Sequence, residues 1–147
     1  MIWRPYVTVA TVVERDGRFL MVEEYADGER VYNQPAGHLD EHESLPAAAL
    51  RETLEETGWE VELTALVGVY HWRHPASGKT FLRFCFAAEG RRHHPDQPLD
   101  EGIQQALWLS RAEISARQSQ LRSPMVLRCI DDYLAGRRYP LALLARL

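Results

Sequence analysis

Residues 37–59, GHLDEHESLPAAALRETLEETGW, decide how this chain is read. The stretch gathers Glu43, Glu52, Glu55 and Glu56 about one predicted helix, with Arg51 as its only strong base. From Asp40 to Glu62 there are eight acidic residues and one basic residue, so a cation is needed to offset the local charge. At 100° per residue, Glu52, Glu55 and Glu56 fall within an arc of roughly 100° and form one acidic face. Like charges three and four residues apart repel by a few tenths of a kcal/mol per pair on an exposed helix. A bound divalent cation reverses that sign, and hard carboxylate oxygens suit Mg²⁺ or Mn²⁺ held against phosphate.

The surrounding sequence predicts where this helix sits. Ser44 reads as its N-cap, Pro46 is tolerated in the first turn, and Gly58 supplies the C-terminal stop. The helix is expected over residues 47–57, with Leu50 and Leu54 on its buried stripe. Ahead of it, residues 6–13 (YVTVATVV) predict a strand buried on parts of both faces. Asp16-Gly17 and Asp27-Gly28 mark turns around strands at 18–24 and 30–33. Gln34 to Gly37 read as a breaker-rich loop. Two longer strands follow at 61–72 and 80–88, the second with Leu82, Phe84 and Phe86 as an apolar face. Residues 91–102 read as a loop, 106–109 as a short strand, 111–117 as a short helix and 124–135 as a last helix. The apolar tail from Arg137 is expected to dock on the body. Strands on both sides of a central helix indicate an α+β fold, an α/β/α sandwich with a central mixed sheet, as one domain over residues 1–147.

Bulk properties exclude several classes. A net charge of −4 and a pI near 5.9 argue against a general nucleic-acid binder. No apolar run approaches the ~20 residues of a membrane span, and the first residues lack a signal-peptide pattern. A cytoplasmic protein is therefore expected, with Cys85 and Cys129 as reduced core thiols. Its partner is expected to be a small-molecule diphosphate. Monomer and homodimer both remain open.

The register of the opening stretch is that of the Nudix box, G-x5-E-x7-R-E-U-x-E-E-x-G-U, with U an apolar residue. Gly37, Glu43, Arg51, Glu52, Glu55, Glu56 and Gly58 all fall in place, and Trp59 meets the last position. Seven such matches arise by chance at roughly 10⁻⁸ to 10⁻⁹ per start position, so coincidence is excluded. Thr53 departs from the pattern, standing where an aliphatic residue is usual. The chain also resembles the NudJ-type phosphatases of the Nudix hydrolase superfamily. That likeness covers PYVTVATVV, NQPAGHLD, HW…FLRFCFA and LRSPMVLRCIDDYLAGRRYPL, and so nearly the whole chain.

The resemblance implies a Mg²⁺-dependent hydrolase of phosphoanhydride bonds in nucleoside tri- and diphosphates. It also implies action on hydroxymethylpyrimidine diphosphate or thiamine diphosphate, by attack of a metal-activated water on phosphorus. In that reading Glu52, Glu55 and Glu56, with the carbonyl of Gly37, hold the metal. Arg51 and Glu43 orient the ligands, and Glu101 is the candidate base from outside the box. Trp72, Arg83, Arg122 and Gln34 are the candidate substrate contacts. The alternatives are a nucleotide-sensing module of the same fold, or a pyrophosphatase for oxidised nucleotides, ADP-ribose or dinucleoside polyphosphates.

Overall fold

The computed structural model describes residues 1–147. Strand β1 (Tyr6–Arg15) turns at Asp16-Gly17 into β2 (Arg18–Ala26), which pairs with β3 (Glu29–Asn33). A short β4 (Ala36–His38) precedes helix α1 (Leu45–Thr57). Two long strands follow, β5 (Trp59–Arg73) and β6 (Thr80–His93), then β7 (Ile103–Ser110), α2 (Arg111–Ala116) and α3 (Met125–Leu134). The seven strands form a mixed sheet in two wings. In one wing β1 lies parallel to β6, with β4 and β5 antiparallel beside them. In the other, β2 is flanked by antiparallel β3 and β7. The wings join where β1 meets β2 at Glu14–Phe19 and Arg15–Arg18.

As the run of β-branched residues predicts, Thr8 to Val13 are buried on both faces of β1. Val9 faces α1 with Phe86 and Leu66, while Ala10 and Val12 face the α3 side with Cys85, Cys129 and Ile130. Both cysteines are free and fully buried there. The tail docks as expected: Tyr139 and Leu66 exchange two backbone hydrogen bonds of 2.8 Å, and Leu141 and Leu144 pack against the α1-side cluster. No helix is long and apolar enough to cross a membrane.

Several local expectations are corrected. Ala36 to His38 are not loop but a strand, because their backbone completes the edge of β1. Strand β6 runs five residues past Ala88, where Trp59 pairs with His93 and stacks on its ring at 4.8 Å. Asp131-Asp132 reads in the sequence as a surface pair, yet Asp132 is buried, accepting hydrogen bonds from Tyr70 (2.8 Å) and Arg128 (3.0 Å).

The main correction concerns the face of α1. Its buried residues are Ala48, Ala49, Thr53, Glu56 and Thr57, whereas Leu50 is 40% exposed. Small side chains let the helix axis approach the sheet closely, and leucines there would hold it away. The acidic and buried faces therefore overlap, with Glu56 on both. The departure at Thr53 has its own partner. Thr53 Oγ1 donates to the Ala49 carbonyl (2.7 Å) and so accepts from Thr11 Oγ1 (2.8 Å), both threonines being fully buried. Thr53→Val orphans the Thr11 hydroxyl and is expected to cost about 1–2 kcal/mol in urea denaturation. Adding Thr11→Val is expected to restore most of that loss, because both polar groups are then gone.

Candidate active site

Helix α1 is fixed at both ends. The Ser44 hydroxyl accepts from Ala47 N–H (3.1 Å), and Gly58 closes the helix in the left-handed region at φ 75°. A Cβ at Gly58 would lie 2.8 Å from the His94 carbonyl, so only glycine passes there. Beyond β6 the chain folds back over the helix's C-terminal end. Gln97 Nε2 donates to Leu54 O (2.7 Å) and Asp100 N–H to Glu55 O (3.1 Å). Leu54 O thereby takes a second donor beside Gly58 N–H (2.9 Å), and Glu55 O gains a partner from outside the helix. The two bonds also deliver Asp100 to the acidic face.

Oxygens of Glu52, Glu55 and Asp100 lie within 4.8 Å of one another. Glu101, expected from the sequence near this face, lies exposed on the adjacent turn. It lies outside this carboxylate cluster, and its neighbour Asp100 lies within it. The hydrogen bond to Glu55 that selects Asp100 is a tertiary contact with no local signature.

Arg51 ties the carboxylates together. Its Nε and one terminal nitrogen donate to both oxygens of Glu43 (2.7 and 2.9 Å). The other terminal nitrogen donates to Glu52 (2.8 Å) and Glu55 (3.2 Å). The guanidinium also reaches the His38 carbonyl at 3.1 Å. A lysine could not hold this fork. Arg51 in turn draws the Glu43 carboxyl below the usual range. Glu43 lies just ahead of α1, and its Oε1 also accepts from Asp40 N–H at 3.1 Å.

Glu56 is the deepest of the set, at 8% exposure. With no cation present, burial pushes its carboxyl up to about 9, against the opposing hydrogen bond from Ala36 N–H (2.8 Å). Burial likewise raises Glu52. A Cβ on Gly37 would overlap the Glu52 carboxylate. The glycine is thus required by the close approach of a carboxylate, and not by the shape of a loop.

Glu52 and Glu56 open onto a cavity of about 530 Å³. Cations line it too: Lys79, Arg83 and Arg122, with His38 and His74. Burial first, then Arg122 and Lys79, hold His38 below its ordinary range. Lys79, the chain's only lysine, lies with its ammonium 5.3 Å from the centre of the Tyr6 ring. It sits on the β5–β6 hairpin and was missed in the sequence, although its being unique was visible there. Trp72, Arg83 and Arg122 line the cavity as expected. Arg83 is 4% exposed, and its terminal nitrogens donate to Gln34 Oε1 (2.8 Å) and Asn33 Oδ1 (3.1 Å), leaving Nε buried without a partner. Arg122 pairs with Glu24 at 2.6 Å.

Gln34 is not a substrate contact. It is fully buried, and while its oxygen accepts from Arg83, its nitrogen donates to Val126 O (2.6 Å). It positions Arg83. A larger groove of about 650 Å³ runs beside β5 and α3, and none of the carboxylates of α1 lines it.

A helix that presents clustered carboxylates to a cavity walled by cations, against a two-winged mixed sheet, defines a Nudix hydrolase. The NUDIX domain family matches residues 3–129, and the chain belongs to that family. It is 45% identical over 143 residues to phosphatase NudJ of Escherichia coli (strain K12), covering 97% of this chain and 92% of that one. Phosphatase NudJ of Shigella boydii serotype 4 (strain Sb227) matches with the same identity and coverage. Among solved structures, a NUDIX hydrolase from Nitrosomonas europaea superposes with a TM-score of 0.96 at 47% identity, covering 98% of both chains.

Proposed function

We propose that this enzyme hydrolyses a phosphoanhydride bond of a small-molecule diphosphate with the help of Mg²⁺, for which Mn²⁺ can substitute. One observation carries the reading: carboxylates and cations share the walls of one cavity, as a metal–diphosphate pair requires. The donor set fits a hard divalent cation. Glu52, Glu55 and Asp100 supply three carboxylates, and Glu56 adds a buried carboxyl beside them. The carbonyl of Gly37 remains a candidate ligand beside them. When bound, such a cation neutralises phosphoryl charge and acidifies a water.

The chain's own residues do the positioning. Arg51 and Glu43 hold the carboxylate rotamers. Lys79, Arg83 and Arg122 carry the charge that receives the phosphates, and Trp72 borders the space for the rest of the substrate. Asp100 replaces Glu101 as the proton acceptor from outside the helix. The resemblance to phosphatases named NudJ supports nucleoside tri- and diphosphates, hydroxymethylpyrimidine diphosphate and thiamine diphosphate as the substrates to try first.

The test measures phosphate and pyrophosphate release separately across those compounds, with Mg²⁺ and with excess EDTA. Release that needs Mg²⁺ and returns on its re-addition is expected, whereas release indifferent to EDTA overturns the reading. Lys79→Ala is expected to raise KM for every diphosphate by roughly tenfold with little change in kcat, as loss of a phosphate contact made equally in ground and transition states does.

A further inference from the structure

The arginines and the lysine that line the carboxylate cavity are not equivalent. Arg83 is held by the neutral oxygens of Gln34 and Asn33, and Lys79 lies over the ring of Tyr6. Arg122 alone is paired with an acid, donating to Glu24 Oε1 at 2.6 Å. We propose that Glu24 is a specificity residue of this cavity: by occupying Arg122 while the cavity is empty, it turns away metal-free phosphates and favours a diphosphate that arrives as its Mg²⁺ complex. The proposal rests on the Nudix hydrolase reading of the cavity.

The fold aims this acid deliberately. Glu24 stands near the end of β2, where the register against β7 shifts between Glu23 and Glu24. Alternation sends the two neighbouring acids to opposite faces. Glu23 is buried and accepts from the Tyr32 hydroxyl at 3.0 Å, whereas Glu24 lines the cavity with Glu52 and Glu56. Arg122 is brought to it through the backbone. Its N–H donates to Tyr32 O at 2.9 Å, and Val31, next along β3, is the residue that pairs with Glu24. Both backbones are therefore anchored, and a change of partner falls to the side chains. The Glu24 side chain is 14% exposed and that of Arg122 49%, so the arginine can turn to an incoming anion while the acid stays in the wall.

That exchange sorts ligands by their charge. A phosphate that enters without a cation must take Arg122 from Glu24 and then lie beside the acid it has displaced. Like charges repel more strongly in a partly dry wall than in water. A diphosphate carrying Mg²⁺ meets the opposite balance, because its cation comes to the carboxylates of α1. Glu24 acts on that same space. Burial is the main force raising the Glu56 carboxyl, and of its acidic neighbours Glu24 raises it more than Glu52 or Asp100. The charge of Glu24 thus favours the complex and opposes the bare anion, and specificity is a difference of affinities.

Glu24→Gln keeps the shape of the side chain and removes its charge. Asp27→Asn is the control: Asp27 lines the same cavity, pairs with no arginine, and sits at φ 52°, which asparagine tolerates. Methylenediphosphonate, whose P–C–P bridge resists hydrolysis, is titrated by calorimetry in EDTA and again in Mg²⁺. Wild type is expected to bind it at least roughly tenfold more weakly in EDTA. Glu24→Gln is expected to tighten binding in EDTA by roughly fivefold or more, and so to narrow the gap between the two conditions. Asp27→Asn is expected to change it less than about twofold. In an Arg122→Ala background, Glu24→Gln is expected to lose most of its effect. The proposal is overturned if Glu24→Gln binds the metal-free probe no better than wild type, if Asp27→Asn matches its gain, or if the gain survives without Arg122. Phosphate release is followed in parallel. Mg²⁺-dependent hydrolysis with no gain in Glu24→Gln sinks this proposal alone. The expected gain without any Mg²⁺-dependent hydrolysis sinks the hydrolase reading and leaves the exchange of partners at Arg122 standing.

Discussion

Glu56→Gln is expected to lower kcat by at least roughly 10³-fold while leaving the fold intact. The fold survives because glutamine keeps the acceptor oxygen that Ala36 N–H uses at 2.8 Å, in a side chain of the same length. Turnover is expected to fail because the substitution removes a carboxylate from the proposed cation site. A pH experiment on the EDTA-treated protein separates the two effects. In the folded protein this carboxyl titrates near 9 against 4.5 for the ordinary group, so the native state keeps a proton that the unfolded chain releases. Stability through this group is therefore fully present below about pH 4.5, falls as pH rises towards 9, and then levels off. Glutamine has no such slope. Its stability relative to wild type is expected to climb by up to a few kcal/mol across that window, and saturating Mg²⁺ is expected to flatten the wild-type curve. Parallel urea-derived curves for the two proteins from pH 5 to about 9 would refute the burial of an ionisable Glu56. Undiminished activity of the variant would refute its place in the metal site.

Gly37→Ala is expected to separate activity from stability in the other direction. Gly37 is not among the residues with positive φ, so alanine suits its backbone. The atoms nearest an added Cβ all belong to the Glu52 carboxylate. The end of a side chain can swing aside cheaply, so stability is expected to change by less than about 1 kcal/mol. A displaced Glu52 leaves both Arg51 and the cation site, and a misplacement near 1 Å costs about 10²-fold or more in kcat/KM. Thermal melts beside steady-state kinetics check both halves. A variant that unfolds, or one that works normally, contradicts the geometry.

The family was legible because its box is a local spacing rule, and the box residues converge in space as that rule implies. The strands were legible where alternation or β-branching marks them. What escaped has a common physical origin. The direction of α1 was misjudged because leucine outweighs alanine on any hydrophobicity count, whereas the close approach of the helix to the sheet is set by volume. Asp100, Lys79 and His74 escaped because each reaches its place through a backbone bond to a distant or looped partner. Gln34 is a candidate substrate contact in the sequence because it leads into the box, yet its amide supports Arg83 from within the core. Residues placed by a local spacing rule were thus easier to see than those placed by tertiary contacts.

Lys79, exposed at the mouth of the cavity and without a second lysine anywhere in the chain, has a practical consequence. Amine-reactive dyes, cross-linkers and activated resins have only this side chain and the terminal amine to attack. Fluorescent labelling or immobilisation through amines will therefore fall on the terminal amine or on the mouth of the cavity, and coupling at Lys79 is expected to inhibit. A diphosphate present during the reaction is expected to shield it. Thiol chemistry meets the opposite condition, since both cysteines are fully buried, so an attachment point for this protein has to be built in elsewhere on its surface.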